Sequence, residues 1–420
     1  MYQAESAGAL LRRPSESQRQ RTARVSRNVV LLGFTSMLTD VSAEMVATVL
    51  PVYLVFALGA SPLQYGIVDG LYQGGAALVR LGSGVLADRW QRYKDLAGVG
   101  YGLSAICKGA FLVAGSSVGA VSAIVMADRV GKGIRTAPRD ALISLSSAPE
   151  RLGAAFGLHR AMDTAGAMLG PLVAFGVLLA TPGEFDALFA VSLCFAILGL
   201  AVLVLFVQDR PARPKDSAVA RPSLAAAFAL LRLRRYRSLV LLGAVLGLAT
   251  VSDGFIYLGL QRRMDLDLTA FPLLFVGSAC AFMLLAVPAG RLADRFGRER
   301  MFVAGYALLL VVYTALLVPD LGTPLVIGYL LLLGAYYAAT DGVLMAAASA
   351  LLPEQSRASG LGLLLAAVTL AKLLAAVLFG LLWTTAGLGV AAVVFGCVLL
   401  VAIVLAFALV GRPGAVAAHV

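Results

Sequence analysis

Twelve runs of predominantly apolar residues follow one another along this chain. The first six lie near 29–56, 62–86, 95–115, 117–137, 153–180 and 185–207, the second six near 239–260, 271–290, 301–318, 323–352, 358–384 and 388–411. Crossing the hydrocarbon of a bilayer takes about 20 apolar residues, and these runs have that length. Inside lipid no water can satisfy the backbone of a strand, so each run is predicted to be a helix. The one long polar stretch, rich in Pro and Arg, falls between the two sets. The pattern predicts a tail over 1–28, a six-helix bundle over 29–207 and a linker over 208–238, then a second six-helix bundle over 239–411 and a tail over 412–420.

Composition turns this pattern into a class. Of the 420 residues, 60% are hydrophobic and 14% charged, with mean hydropathy +0.89. A soluble domain carries about 25% charged residues, and one core could not hide so much apolar surface from water. The reading is an all-α integral membrane protein. Its formal net charge of +11 would suggest nucleic acid in a soluble protein, but here the bases gather in short segments between spans. That is how cytoplasmic loops are marked, and no nucleic acid is expected.

Arg12, Arg13, Arg19, Arg21, Arg24 and Arg27 precede the first span; Arg89, Arg92 and Lys94 follow the second. Arg210 to Arg237 fill the middle segment, and Arg295, Arg298, Arg300 and Arg412 complete the same side. The opposite loops near 57–61, 115–117 and 385–388 are uncharged, and Glu184, Asp186 and Asp320 are acidic. Arg262 and Arg263 alone break the asymmetry. Both termini are therefore expected in the cytoplasm, in a multi-pass protein of the plasma or inner membrane. The Arg-rich start has no cleavable apolar core, so the first span is expected to stay as an uncleaved anchor. Cys107, Cys194, Cys280 and Cys397 sit singly in apolar runs and read as small hydrophobes, with no metal-ligand spacing.

The two halves repeat. Gly84-Val-Leu-Ala-Asp88-Arg89 recurs as Gly290-Arg-Leu-Ala-Asp294-Arg295, and Pro149-Glu150 as Pro353-Glu354. Parallel repeats of a six-helix unit are one of the schemes of secondary transporters. In these residues the chain resembles the major facilitator superfamily, over essentially its whole length after residue 28. The family's signature after the second span of a half is Gly, three residues, Asp-Arg, one residue, Gly-Arg and then a base. Gly290, Asp294, Arg295, Gly297, Arg298 and Arg300 match it throughout. Gly84, Asp88, Arg89, Arg92 and Lys94 match with Gln91 in the place of Gly. Such a loop can form an ion-pair latch between spans, made in one conformation and broken in another. The stretch Asp128-Arg129-Val-Gly131-Lys132-Gly133-Ile-Arg135 resembles the family's fourth-span motif, with Lys132 where Gln is frequent. Gly157, Gly166, Gly170 and Pro171 resemble the fifth-span motif found mainly in antiporters, with Ala174-Phe175 replacing its final glycine pair. The resemblance implies two six-helix bundles around a central cavity lined by spans 1 and 4.

Charges inside spans are costly, at least about 2.5–3.5 kcal/mol each on insertion scales, so they are expected to pair or to line a pathway. Asp40 and Glu44 share one face of the first span. By helical rise, Asp40 lies about 16 Å from one end of its span and Arg129 about 18 Å from the opposite end of the fourth. The expected contacts are Asp40 or Glu44 with Arg129 or Lys132, and Asp40 or Glu44 is the expected proton-coupling site. Asp253 and Lys372 are the candidates of the second half, Lys372 for an anionic group of the substrate, while Asp341 lies nearer the end of its span. His159, Arg160 and Asp163 open the fifth span, and Tyr257, Tyr336 and Tyr337 are read first as packing. Asp69, Arg80 and Lys108 have no partner that sequence alone assigns.

These features predict a secondary transporter working by alternating access, exporting a small organic compound against proton entry. It is expected to be a monomer, to need no cofactor and not to be an enzyme. No ATPase-type phosphate loop is present, and the spans hold no nucleophile–base set. The alternatives are a symporter importing a metabolite, and a non-transporting receptor or assembly factor of the same fold.

Overall fold

The computed structural model describes residues 25–90, 92–148, 151–209, 228–264, 266–318, 323–341, 343–353 and 356–410. Residues 1–24 of the expected tail, most of the linker and residues 411–420 lie outside them. So do Gln91, Pro149, Glu150 and Glu354, and of the side chains from Leu81 to Trp90 nothing is described.

The described residues are helical, with no strand among them. The first half has α1 (Arg27–Val52), α2 (Pro62–Trp90), α3 (Tyr93–Phe111), α4 (Val118–Leu145), α5 (Leu152–Ala180) and α6 (Phe185–Phe206). The second has α7 (Arg234–Leu248), α8 (Asp253–Met264), α9 (Phe271–Phe296), α10 (Arg298–Ala315), α11 (Thr323–Thr340), α12 (Val343–Leu351), α13 (Arg357–Ala386) and α14 (Leu388–Val410). Eight helical stretches are long and apolar enough to cross a membrane by length and composition, with α3 and α4 not among them. Those two carry the buried ion cluster of Lys108, Asp128 and Arg129 described below.

Two spans differ from the sequence expectation of unbroken helices. The run over 239–260 is interrupted at 249–252, between α7 and α8, where Ala249 and Val251 are buried. Backbone without helical bonds survives at membrane depth only where protein satisfies it, and Tyr313 of α10 does so. Its hydroxyl accepts from Val251 N at 2.6 Å and donates to Ala249 O at 2.9 Å. The run over 323–352 is likewise divided between α11 and α12. An acidic residue stands at each break, Asp253 and Asp341.

Packing sorts the helices into two bundles. In the first, α1 packs on α5 and α6, and α4 on α2 and α3; in the second, α9 and α10 pack on α11, α7 on α13 and α10 on α14. Between bundles, α2 meets α13 and α5 meets α9. The tightest inter-bundle approaches lie at the end carrying the turns at Gly59 and Gly387, here called the loop side. A Cβ on Gly380 would stand 2.4 Å from Pro62 O, and one on Gly66 would stand 2.5 Å from Ala376 O. Leu63 N donates to Thr384 Oγ1 at 2.9 Å, and Tyr65 packs edge-on to Phe255 with centroids 4.7 Å apart. On this side the two bundles are closed together.

Candidate functional site

The first bundle is built around charge. On α4 the order Asp128, Arg129, Lys132, Arg135, Arg139 places a base at nearly every turn, and α1, α2, α3 and α5 surround them. Lys108 of α3 stands 3.3 Å from Asp128, and Arg129 Nη2 donates to the other oxygen of the same carboxylate at 2.5 Å. All three residues are at most 5% exposed. Arg129 also lies over the ring of Tyr72 on α2, with Cζ 4.0 Å from the centroid, a cation–π contact in a dry setting. A cavity of about 10 Å³ beside Lys108 and Asp128, walled by Tyr72, Val46 and Phe111, has room for about one water.

Asp40 and Glu44 do share a face of α1, but no ion pair joins either of them to Arg129 or Lys132 among the described residues. Asp40 pairs with Arg135 at 3.8 Å. The reason is register. Helices α1 and α4 are antiparallel, and Arg135 lies two turns beyond Arg129, at the level of Asp40. Arg135 is held from behind by Ser104 Oγ at 3.0 Å and by the ring of Tyr101, 4.7 Å from its Cζ. Glu44, one turn farther in, makes no ion pair among the described residues, and Lys132, then Arg129 and Lys108, are the cations whose charge it feels.

Further along α4, Arg139 donates to Ser36 at 3.2 Å and pairs with Asp140 at 2.9 Å and with Asp163 of α5 at 3.8 Å. His159 is buried, and its Nε2 stands 3.5 Å from Asp163 without closing a hydrogen bond. The apolar run alone predicts a fourth span ending near 137, short of Arg139 and Asp140. The helix continues to Leu145 with Pro138 inside it. Lys108, Tyr72, Tyr101 and Arg139 are the site residues that reading left without a role; the signal available for Lys108 was its depth in an apolar run.

In the second bundle Asp253, first residue of α8, accepts from the hydroxyl of Tyr337 on α11. Lys372 of α13 makes no ion pair among the described residues, yet Asp253 feels its charge and that of Asp341. Asp341 itself is exposed. Tyr257 bonds Ser278 at 2.6 Å, and Tyr336 packs against Tyr306, so both act in packing.

The loop motifs sit at the end opposite the inter-bundle contacts. Gly84, Asp88 and Arg89 are helical residues of α2 whose side chains are not described, and Arg92 pairs with Asp95 at 2.6 Å. In the second copy Asp294 pairs with Arg298 at 3.0 Å, while Arg295 lies over Phe296 and Gly297 takes φ +99°, a turn that favours glycine. Gly290 has open space around it. In the fifth-span motif, Gly166 and Gly170 let α5 lie on α1: a Cβ would stand 2.4 Å from Met37 O and 2.7 Å from Glu44 Cβ respectively. Gly157 has nothing within 4 Å, and Pro171 is buried within α5. Among the described residues no three His, Cys, Asp or Glu side chains gather as metal ligands.

The chain is similar to known proteins over nearly its whole length. The family model "Major Facilitator Superfamily" matches residues 32–280 and 254–419. An uncharacterised MFS-type transporter of Methanocaldococcus jannaschii is 31% identical over 382 residues, 89% of this chain and 92% of that protein. An uncharacterised protein of Mycobacterium tuberculosis is 29% identical over 389 residues, 91% of this chain and 93% of that one. Among solved structures, a variant of the nucleoside transporter NupG superposes with TM-score 0.77 at 15% identity, over 92% of this chain and all of that one (100%). A bacterial homologue of the human lysosomal transporter Spinster, inward-facing and unoccupied, superposes with TM-score 0.72 at 14% identity, over 91% and 96%. Two packed helical bundles, the repeated loop motif and a family match along both halves lead to one conclusion: this chain is a multi-pass membrane protein of the major facilitator superfamily.

Proposed function

We propose that the chain is a secondary active transporter that works by alternating access and exports a small organic compound against proton entry. The observation that carries this reading is the line of charge between α1 and α4, buried at Arg129 and Arg135 and half-buried at Asp40, Glu44 and Lys132. It joins Asp40 to Arg135 and leaves Glu44 in the field of Lys132 with no ion pair among the described residues. A helix bundle with no pathway has little use for ionised groups that cost several kcal/mol to insert. A carboxylate without a fixed partner is suited to exchange a proton when water reaches it. Asp40 and Glu44 are the proton-handling groups, with Arg129 and Lys132 setting the local field, and Asp253 and Lys372 form the facing wall. The loop motifs at Gly84–Arg92 and Gly290–Arg298 act as latches on the opposite side from the present inter-bundle contacts. Both termini and that latch side face the cytoplasm, and the protein works as a monomer in the cell membrane. The bundles, with boundaries near 207 and 239, move as the two units.

The close approach of Gly166 and Gly170 to α1 favours export, because it is the antiporter-like motif that sets it. The test is a pH-jump flux assay in proteoliposomes with a panel of fluorescent and radiolabelled organic compounds. Solute should leave the compartment as protons enter it. Solute movement in the same direction as protons would make the chain a symporter, and no flux of any compound under either gradient would end the reading.

A further inference from the structure

Asp69 of α2 plays no part in the charge line of the first bundle. It lies instead on the seam between bundles. One turn before it, Tyr65 is pressed so closely on α8 that a Cβ on Gly254 would overlap its hydroxyl. On either side of it, Gly66 and Gly70 bring α2 against the backbone of Ala376 and Leu373 on α13. Gln73 donates to Asp69 at 3.2 Å. Across the seam the groups facing Asp69 are Ser252, whose buried hydroxyl completes no hydrogen bond of good geometry, and Asp253, whose charge Asp69 feels. Asp253 in turn faces Tyr337, Tyr257, Lys372 and Asp341. The seam thus brings a carboxylate from each bundle together with hydroxyl and amide donors, and among the described residues the cation whose charge reaches it is Lys372, with no ion pair to either carboxylate.

We propose that Asp69 and Asp253 are a carboxylate pair split between the two bundles, and that closing the bundles on the loop side takes up one proton between them. Hydrogen bonds from Tyr337 to Asp253 and from Gln73 to Asp69 each hold one carboxylate oxygen without cancelling its charge. With the bundles apart, each carboxylate meets water and stays ionised at no cost to the other. With the bundles together, two like charges share one half-buried seam and lose part of their water, and neutralising one of them relieves the pair. Binding of that proton and closure are then linked, each favouring the other by the same factor. The inference rests on the alternating-access reading but assigns the proton that governs the loop-side gate to the seam, separate from Asp40 and Glu44.

The experiment uses the full chain without its four native cysteines, reconstituted in liposomes, with spin labels on Gln64→Cys and Thr385→Cys, one from each bundle at the loop side. Distance distributions are measured from pH 5 to pH 9. The short, closed distance should gain as pH falls, by up to about tenfold per pH unit in closed-to-open ratio, the limit for one linked proton. Asp69→Asn and Asp253→Asn should each abolish this dependence and keep the closed distance dominant at alkaline pH. Asp69→Lys, which sets an opposite charge against Asp253, should hold the loop side closed at every pH, and it serves where an Asn variant does not fold. Two distances that exchange with pH unchanged in Asp69→Asn would overturn the seam assignment and leave alternating access standing. A single distance under all conditions would overturn both.

Discussion

Tyr313 and Val251 are tied by a 2.6 Å hydrogen bond in which a side-chain hydroxyl takes the place of a missing helical carbonyl. The same hydroxyl donates a hydrogen bond to Ala249 O, so one phenol satisfies a donor and an acceptor at the break between α7 and α8. Removing it leaves both buried groups without a partner, at about 1–3 kcal/mol for each. Tyr313→Phe is therefore expected to lower the midpoint of thermal unfolding in detergent, read by the loss of the monodisperse peak after heating. Tyr329→Phe, which loses one bond to the carbonyl of Val312, should lower it less. Equal midpoints for Tyr313→Phe and the native chain would mean that the break does not depend on this residue.

Asp128 is the shared anion of Lys108 and Arg129. Breaking a buried ion pair by removing one partner costs about 3–5 kcal/mol, because the other charge stays behind in a dry site. Asp128→Asn strands two cations, while Lys108→Met leaves Asp128 still paired with Arg129 at 2.5 Å. Thermal unfolding should rank the variants in that order, with Asp128→Asn the least stable. The double variant should recover part of the loss. A double variant whose effect is the plain sum of the two singles would show that Lys108 and Asp128 do not interact.

How much of this was legible in the sequence follows from the range of the physics involved. Span number, helicity and the division into two sets depend on solvent-scale hydrophobicity, which each run of residues carries by itself. The repeated loop motif is likewise local. Partner choice is not. Arg129 and Arg135 sit on one helix within two turns, and only the register of α4 against α1 decides which of them meets Asp40. Asp69 is legible as a charge inside a span, but the groups facing it across the seam are not, because Ser252 and Asp253 belong to the other bundle, nearly two hundred positions away. The break at 249–252 was invisible for the same reason: its support is Tyr313, a residue in a different span.

The two ends of the fifth-span motif should respond differently to the same small change. An Ala at Gly166 brings its Cβ to 2.4 Å from a backbone oxygen of α1, which cannot turn aside as a side chain can. Overpacking of this kind costs about 1–3 kcal/mol. An Ala at Gly157 meets open space and should change stability by less than about 0.5 kcal/mol. The midpoints of unfolding of Gly166→Ala and Gly157→Ala test the contrast directly. Equal losses at both positions would mean that the motif is not acting through the contact of α5 with α1.

Asp40 and Glu44 lie one turn apart, yet their surroundings set different outcomes for the same isosteric change. Asp40 is the carboxylate of Arg135, so Asp40→Asn leaves that guanidinium buried with Ser104 and Tyr101 only. Loss of transport and loss of stability should come together. Glu44 has no ion pair to lose, and Gln keeps its volume beside Gly170. In Glu44→Gln the fold should stay intact, substrate exchange across liposomes without a proton gradient should continue, and accumulation driven by a pH difference should fall by at least about tenfold. The split between the two assays is what separates a proton-handling group from one that merely holds helices together. If Glu44→Gln keeps its gradient-driven accumulation, the proton does not pass through this side chain, and Asp40 is left to carry it.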